Sequence, residues 1–369
     1  MNMVYPNSLY QENIEWLEAL NQNKIVPGLE RIEKLMNLVG DPQKKARIIM
    51  VGGTNAKGST CFNLNHNLTR AGLRVGCFTS PHLHSIRERI KIGNENIEVD
   101  ELSEYLEYFK KISEKHGIKA TYFETLTAIA YQYFYTKKVD WAIMEIGLGG
   151  EWDAVNIGDA EIAILTTLGI DHTNYLGEEI EKIAMTKAKI VREETTVITG
   201  WEKKYRSYIP NCKSLNYGKN IGDWVSLALT KMHLDMSLKL ISIPGRLETK
   251  HNFTLDTAHN PQAIKFLMKQ NINYQNIILG VLDDKDITSI VKLLPIQCKI
   301  LACNINTEKG VHPSKITEIC VDNSYNCKEF ESVKKAMEYV NNEKTLVTGS
   351  FYTVAAAREF LKLEGHDEL

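Results

Sequence analysis

The chain has 369 residues, 43% of them hydrophobic and 24% charged, with a formal net charge of −2. That length exceeds what one core usually holds, so two domains are expected, and the near-neutral charge without a basic block argues against nucleic acid as a main partner. No apolar run approaches the roughly 20 residues of a membrane span, and seven scattered cysteines with no CxxC point to reduced thiols in a cytoplasmic protein, not a disulfide scaffold or zinc site.

In chain order, the N-terminal "MNMVYPNSLYQENIEWLEAL" carries no signal-peptide pattern. "RIIMVGG" reads as a strand, a glycine-rich turn follows, and "STCFNLNHNLTRAG" reads as a helix. "LRVGCFTS" is the next strand, "ELSEYLEYFKKISEKHG" and "FETLTAIAYQYFYTKK" are helices, and "DWAIMEIGLGG" and "EIAILTTLGIDH" are further strands. Nearly continuous apolar runs fit parallel strands buried on both faces. Their alternation with helices predicts an α/β fold, a doubly wound, mostly parallel sheet of P-loop type, with ligands in the crevice beyond the strand C-ends. The pattern breaks at "SIPGRLETKHN", where Pro244 and Gly245 interrupt it. Beyond it "NFTLDTAHNPQAIKFLMKQ", "NIILGVLDDKD", "KILACNI" and "TLVTGSFYTVAAAREFL" form a second set. The expected domains are therefore 1–245 and a smaller, Rossmann-like α/β domain at 246–369. No internal repeat is visible.

The turn itself is "VGGTNAKGST", Val51 to Thr60. Between a strand and a helix, such a turn aims backbone N–H groups at an anion, and the helix dipole adds to the attraction. Thr54, Asn55, Lys57, Gly58, Ser59 and Thr60 are the candidate phosphate-binding residues, with Lys57 supplying charge and Ser59 or Thr60 a hydroxyl to phosphate or Mg2+. The alternative is a turn that only packs. Ser80, Glu145 and His172 follow or end apolar strands on the crevice side. A lone acid ending an apolar strand is costly unless it is used or paired, so Glu145 is a candidate ligand for a hard metal. Lys187 lies on a helix with apolar positions Ile180, Ile183, Ala184 and Ile190; its alternative is a snorkelling surface lysine. Pressed into the core, its amine would have a depressed pKa.

"GGTNAKGST" resembles the GTNGKGS loop of the Mur-type ATP-dependent amide ligases, in particular folylpolyglutamate synthase / dihydrofolate synthase. Other segments resemble that family in order along nearly the whole chain: "TSPHLHSIRERIKI", "FETLTAIAYQYF", "MEIGLGGEWDAVNI", "LGIDHTNYLGEEIEKIAMTKAKI", "IPGRLE", "LDTAHNPQA", "GVLDDKD" and "TGSFYTVAAAREF". The resemblance implies ATP and Mg2+ as cofactors. The reaction it implies joins L-glutamate to a folate or dihydropteroate through an acyl phosphate, in a monomer. By matching motif positions, Lys57, His172 and Lys187 are catalytic, and Ser80, Glu145, His172 and a carbamylated Lys187 bind metal. Arg246 and Asp256 contact the nucleotide. Thr79, Pro81, Phe123, Glu124, Thr125, Trp152, Asp153 and Ala154 line the pterin side, and His259 orients ligands. Phe123 could stack on a flat ring and Asp153 could accept from an aminopyrimidine edge. No residue stands out as a general base. The chain departs from the pattern at Ala56 (the loop glycine), Glu151 (an arginine), Val155 (a threonine) and Trp224 or Asp223 (an asparagine before PGR). These departures keep two other readings open: a degenerate binder of nucleotide or folate without turnover, and a Mur-type ligase with another acceptor.

Overall fold

The computed structural model describes residues 8–20, 26–270 and 272–365. Residues 1–7 of the stretch read for a leader lie outside the described residues. The chain divides into two compact units. The first comprises the described parts of 1–80, 86–169 and 178–241, the second 81–85, 170–177 and 242 onwards. The division falls just before Pro244–Gly245.

In chain order the first unit runs through helices α1 (Ser8–Ala19) and α2 (Glu30–Leu38), strand β1 (Ile48–Gly52), α3 (Lys57–Arg70), β2 (Val75–Phe78), β3 (Ile90–Ile92) and β4 (Glu95–Asn96). Then come α4 (Val99–His116), α5 (Tyr122–Thr136), β5 (Trp141–Glu145) and β6 (Ala160–Leu165). After α6 (Thr173–Leu176), which groups with the second unit, follow α7 (Ile180–Ala188), β7 (Thr196–Thr199), β8 (Ser214–Tyr217) and α8 (Ile221–Lys231). The sheet order is β4-β3-β2-β5-β1-β6-β7-β8, parallel except where β3 pairs with β2 and β4. On β1 every residue is buried. Ile48 and Met50 pack with Leu126 and Ile129 of α5, while Ile49 and Val51 pack with Cys61, Leu64 and Leu68 of α3. Helices thus cover both faces, which is why the strand reads as an unbroken apolar run. Each such side chain contributes roughly 1.5–3 kcal/mol on burial.

The second unit contains β9 (Glu248–Lys250), β10 (Phe253–Leu255), α9 (Pro261–Met268), β11 (Asn276–Leu279), α10 (Ile287–Leu293) and β12 (Lys299–Cys303). It ends with α11 (Pro313–Asp322), β13 (Cys327–Phe330), α12 (Val333–Tyr339), β14 (Thr345–Thr348) and α13 (Phe351–Phe360). The order is β13-β12-β11-β14-β10-β9, with only β9 antiparallel. Two segments from early in the chain join this unit through buried polar contacts. Arg358, 2% exposed, donates to His84 Nε2 at 3.2 Å, and Lys285 pairs with Asp171 at 3.1 Å. The α/β class and the mostly parallel sheets are those expected. No helix among the described residues is long and apolar enough to cross a membrane.

Candidate active site

β1 sits between β5 and β6, where the strand order reverses, so its C-end opens into the crevice of the sheet. The loop beyond it is held by the segment that leaves β6. Thr54 N donates to Thr167 O at 2.8 Å, Asn55 N to Thr167 Oγ1 at 2.9 Å, and Thr166 Oγ1 to Asn55 O at 2.8 Å. Thr54 Oγ1 bonds the backbone of Gly169 at 3.0 Å. In sequence, Thr166 and Thr167 carry only the signal of two adjacent hydroxyls following a strand. No side chain caps α3, so its first-turn N–H groups are left for an anion. Lys57 Nζ reaches back to Thr54 O at 3.4 Å. Ser59 is half-buried at the first turn with Gly58. Thr60 differs from expectation: it is fully buried and its hydroxyl donates to Ala56 O at 2.8 Å, the usual i−4 bond of a helical threonine. Ser59 is the hydroxyl that remains for a ligand.

Ala56 adopts φ 68°, ψ 8°, the left-handed region, where a Cβ costs roughly 1–2 kcal/mol. Ala56→Gly should therefore raise stability by about 0.5–1 kcal/mol, after the added flexibility of the unfolded chain is subtracted. Urea denaturation monitored by tryptophan fluorescence checks this; a destabilised variant would mean that the methyl group packs usefully.

The neighbouring strand ends carry the acidic and basic groups. Glu145, 3% exposed at the end of β5, accepts from Ser80 N at 2.9 Å. A Cβ on Gly58 would stand 3.4 Å from its carboxylate, so the acid lies against the first turn of α3. Lys187 is 5% exposed and its Nζ donates to Gly53 O at 3.2 Å, which removes the surface-lysine alternative. Among the described residues no cluster of three or more His, Cys, Asp or Glu could cage a metal. One buried carboxylate beside a phosphate loop instead fits Mg2+, which takes one or two carboxylates and completes its shell with substrate phosphates and water.

Several pterin-side candidates are occupied by their own backbone. Glu124 closes a capping box on Thr121 (2.7 Å to Thr121 N) and pairs with Arg31 at 2.9 Å. Thr125, 1% exposed, donates to Thr121 O. Asp153 accepts from Leu148 N (2.7 Å) and Val155 N (3.0 Å), so its oxygens organise the loop; burial pushes its pKa up to about 6 against those N–H groups. All three thus have partners within the protein. Thr79, 4% exposed, donates its N–H to Arg89 O; Ala154 is buried, Pro81 is exposed in the second unit, and Trp152 is 56% exposed. Phe123 is half-buried, its ring 5.7 Å from Phe78 and so close to Gly147 that a Cβ there would sit 2.8 Å away. Of the departures, Glu151 ties the loop to α7 through its N–H (3.1 Å to Thr186 O), and Val155 is fully buried. Trp224 is core, its Nε1 donating to Gly218 O, and Asp223 accepts from Lys219 N at the start of α8.

In the second unit, β14 lies between β10 and β11. Asp256, just past β10, accepts from Leu247 N (3.0 Å) and Ala258 N (2.9 Å). Burial raises its pKa although Arg246 and those N–H groups oppose this. Arg246 stacks on Phe351, 5.2 Å from the ring centroid, and His259 lies 6.1 Å from the same ring. His259 Nδ1 faces Thr257 O at 2.9 Å, which places its proton there, and Nε2 stands 3.8 Å from Asp171. Burial, then Lys285, lowers its pKa to about 4, so the ring is neutral near pH 7. Asp171 also takes Asn260 Nδ2 at 2.8 Å and Lys285, whose side chain is only 6% exposed. Burial raises the Asp171 pKa, but the neighbouring His172, Lys285 and His259 and the Asn260 amide outweigh it and hold the group below the usual carboxylate range. His172 belongs to the same unit, at φ 53° ahead of α6, with Nε2 4.0 Å from Asp171. Asp171, Lys285 and Phe351 lie within the family-like segments of the sequence, but no local signal marks them for a role.

Residues 51–260 match the Mur ligase middle domain. The chain is 29% identical to a dihydrofolate synthase/folylpolyglutamate synthase of Haemophilus influenzae, over 92% of this chain and 95% of that protein. It is 27% identical over 95% of its length to a probable bifunctional folylpolyglutamate synthase/dihydropteroate synthase of Haloferax volcanii, and spans 50% of that longer relative. Among solved structures, E. coli FolC in complex with DHPP and ADP has a TM-score of 0.86 at 27% identity, covering 97% of this chain and 98% of that one. A bifunctional folylpolyglutamate synthase/dihydrofolate synthase with Mn, AMPPNP and L-glutamate bound has a TM-score of 0.82 at 28% identity, covering 95% and 98%.

Proposed function

The chain belongs to the Mur ligase family, and on that premise we propose that it joins L-glutamate to a folate or dihydropteroate. It is an ATP-dependent acid–amino-acid ligase of the folylpolyglutamate synthase / dihydrofolate synthase type. The observation that supports this best is the pairing of a lysine-bearing phosphate loop with the buried Glu145 carboxylate at adjoining strand ends, in a chain similar along most of its length to an enzyme solved with ADP. The acceptor's carboxylate attacks the γ-phosphate and ADP leaves; the amine of glutamate then attacks the acyl phosphate and phosphate leaves.

Lys57 and the α3 N-terminus hold the phosphates in this reading, where backbone N–H groups set in place beforehand meet developing charge. Glu145 and Ser80 would hold Mg2+, which supplies neutralising charge at the phosphate oxygens. His172 and Lys187 are assigned to metal, and Arg246 and Asp256 to the nucleotide, by motif match. Asp153 acts by shaping the Leu148–Val155 loop. In this reading the protein works as a cytoplasmic monomer.

The test is ADP release by the purified protein with ATP, Mg2+ and glutamate, with dihydropteroate, tetrahydrofolate or no acceptor. Release that depends on one or both acceptors is the expected result and identifies which is used. A folded protein that binds ATP yet releases no ADP with either would sink the folate assignment and favour a non-catalytic binder or another acceptor.

A further inference from the structure

Most cysteines of the chain are buried; Cys212 and Cys327 are the half-buried ones among the described residues. Cys327 opens β13, the edge strand of the second sheet, and packs against the core cluster that contains Cys320 of α11. Thr317 and Cys320 are three residues apart on α11 and so share a face of that helix. The Thr317 hydroxyl lies 3.5 Å from the Cys327 sulfur, which places that sulfur over the face carrying Cys320. A tight reversal joins them, with Tyr325 N donating to Cys320 O at 2.8 Å and Ser324 at φ 64°.

We propose that Cys327 and Cys320 form an oxidisable thiol pair, in which a peroxide converts Cys327 to a sulfenic acid and Cys320 resolves it to an intrachain disulfide. The Cys327 thiolate attacks one peroxide oxygen, the O–O bond breaks and hydroxide leaves. The Cys320 sulfur then attacks the Cys327 sulfur, the S–O bond breaks, and water leaves with the Cys320 proton. Two thiols lose two electrons and the peroxide is reduced to two waters. The electrostatics agree with these roles. Interaction between the two thiols lowers the Cys327 pKa and raises that of Cys320, so Cys327 is the more acidic of the pair. Cys212 is also half-buried, but burial raises its pKa, and a less acidic thiol reacts more slowly. The disulfide would pin α11 to the sheet edge, whereas Asp256 and Phe351 follow the inner strands β10 and β14.

The experiment exposes the full-length protein briefly to hydrogen peroxide at neutral pH, quenches with N-ethylmaleimide, and reads intact and peptide masses. The expected product has lost two hydrogens and yields a peptide cross-linked between Cys320 and Cys327. Without peroxide, Cys327 should be alkylated about tenfold faster than Cys212. Cys320→Ser should leave a Cys327 sulfenic acid that dimedone traps, and Cys327→Ser should leave Cys320 unmodified. Absence of the cross-linked peptide from the parent protein, with Cys327 unreacted or driven to sulfinic acid, overturns the proposal without bearing on the ligase reading.

Discussion

Glu145→Gln is expected to lower turnover by about 10²–10³-fold while leaving the fold intact, because in the proposed function the group lost is a charge that would hold a metal beside phosphates. Glutamine keeps the volume and a carbonyl oxygen that can still accept from Ser80 N, a bond of 2.9 Å in the parent. It does not keep the negative charge, which at 3% exposure is poorly screened by water. Were Glu145 only a packing residue, removing its charge would instead relieve a desolvation cost, and the variant would be more stable with unchanged turnover. The two cases separate in one pair of measurements, kcat as a function of Mg2+ concentration and thermal stability. A kcat within about threefold of the parent at every Mg2+ concentration would remove Glu145 from the site.

Gly53→Ala should destabilise the first unit by roughly 3–5 kcal/mol and abolish nucleotide binding. Gly53 sits at φ +140°, a conformation that L side chains rarely adopt, and an added Cβ would stand 1.9 Å from Thr166 Oγ1 and 3.1 Å from Thr166 N. The hydroxyl could rotate away, but the backbone nitrogen cannot, so β1 and β6 would have to part where Thr166 N donates to Gly52 O at 2.8 Å. That is the same attachment that shapes the loop for phosphates, so stability and binding are lost together. Chemical denaturation and fluorescent-nucleotide titration of the variant check this. Retention of both within about twofold would show that the loop has another conformation. Ala56→Gly, three residues on, has the opposite expected sign, since there a left-handed residue carries a Cβ it would do better without.

Much of the fold was legible from local pattern alone. The unbroken apolar runs of β1, β5 and β6 and the long helices α4 and α5 follow from periodicity and burial on two faces, which are properties of neighbouring residues. The glycine-rich turn, the acid ending β5 and the lysine of α7 stood out for the same reason: each breaks a local rule that only a bound group or a specific contact would justify. Motif order along the chain narrowed the family further. Substitutions such as Trp224 and Val155 looked alarming against the motifs, yet both prove to be core side chains.

What only the tertiary structure decided was how polar side chains spend their hydrogen bonds. Glu124 and Thr60 are ordinary motif letters in sequence, but one caps its own helix and pairs with Arg31, and the other bonds back to Ala56. The Asp171–Lys285 pair joins residues 114 positions apart, and residues 81–85 meet the second unit through contacts that include a bond from Arg358, near the end of the chain. Contacts of that range leave no periodic trace. The chain by itself marked the candidates for phosphate and metal chemistry, because that chemistry demands particular side chains at fixed local spacing. Folding decided which of them remain available, because a buried polar atom must find a partner, and the nearest partner is often the protein's own backbone.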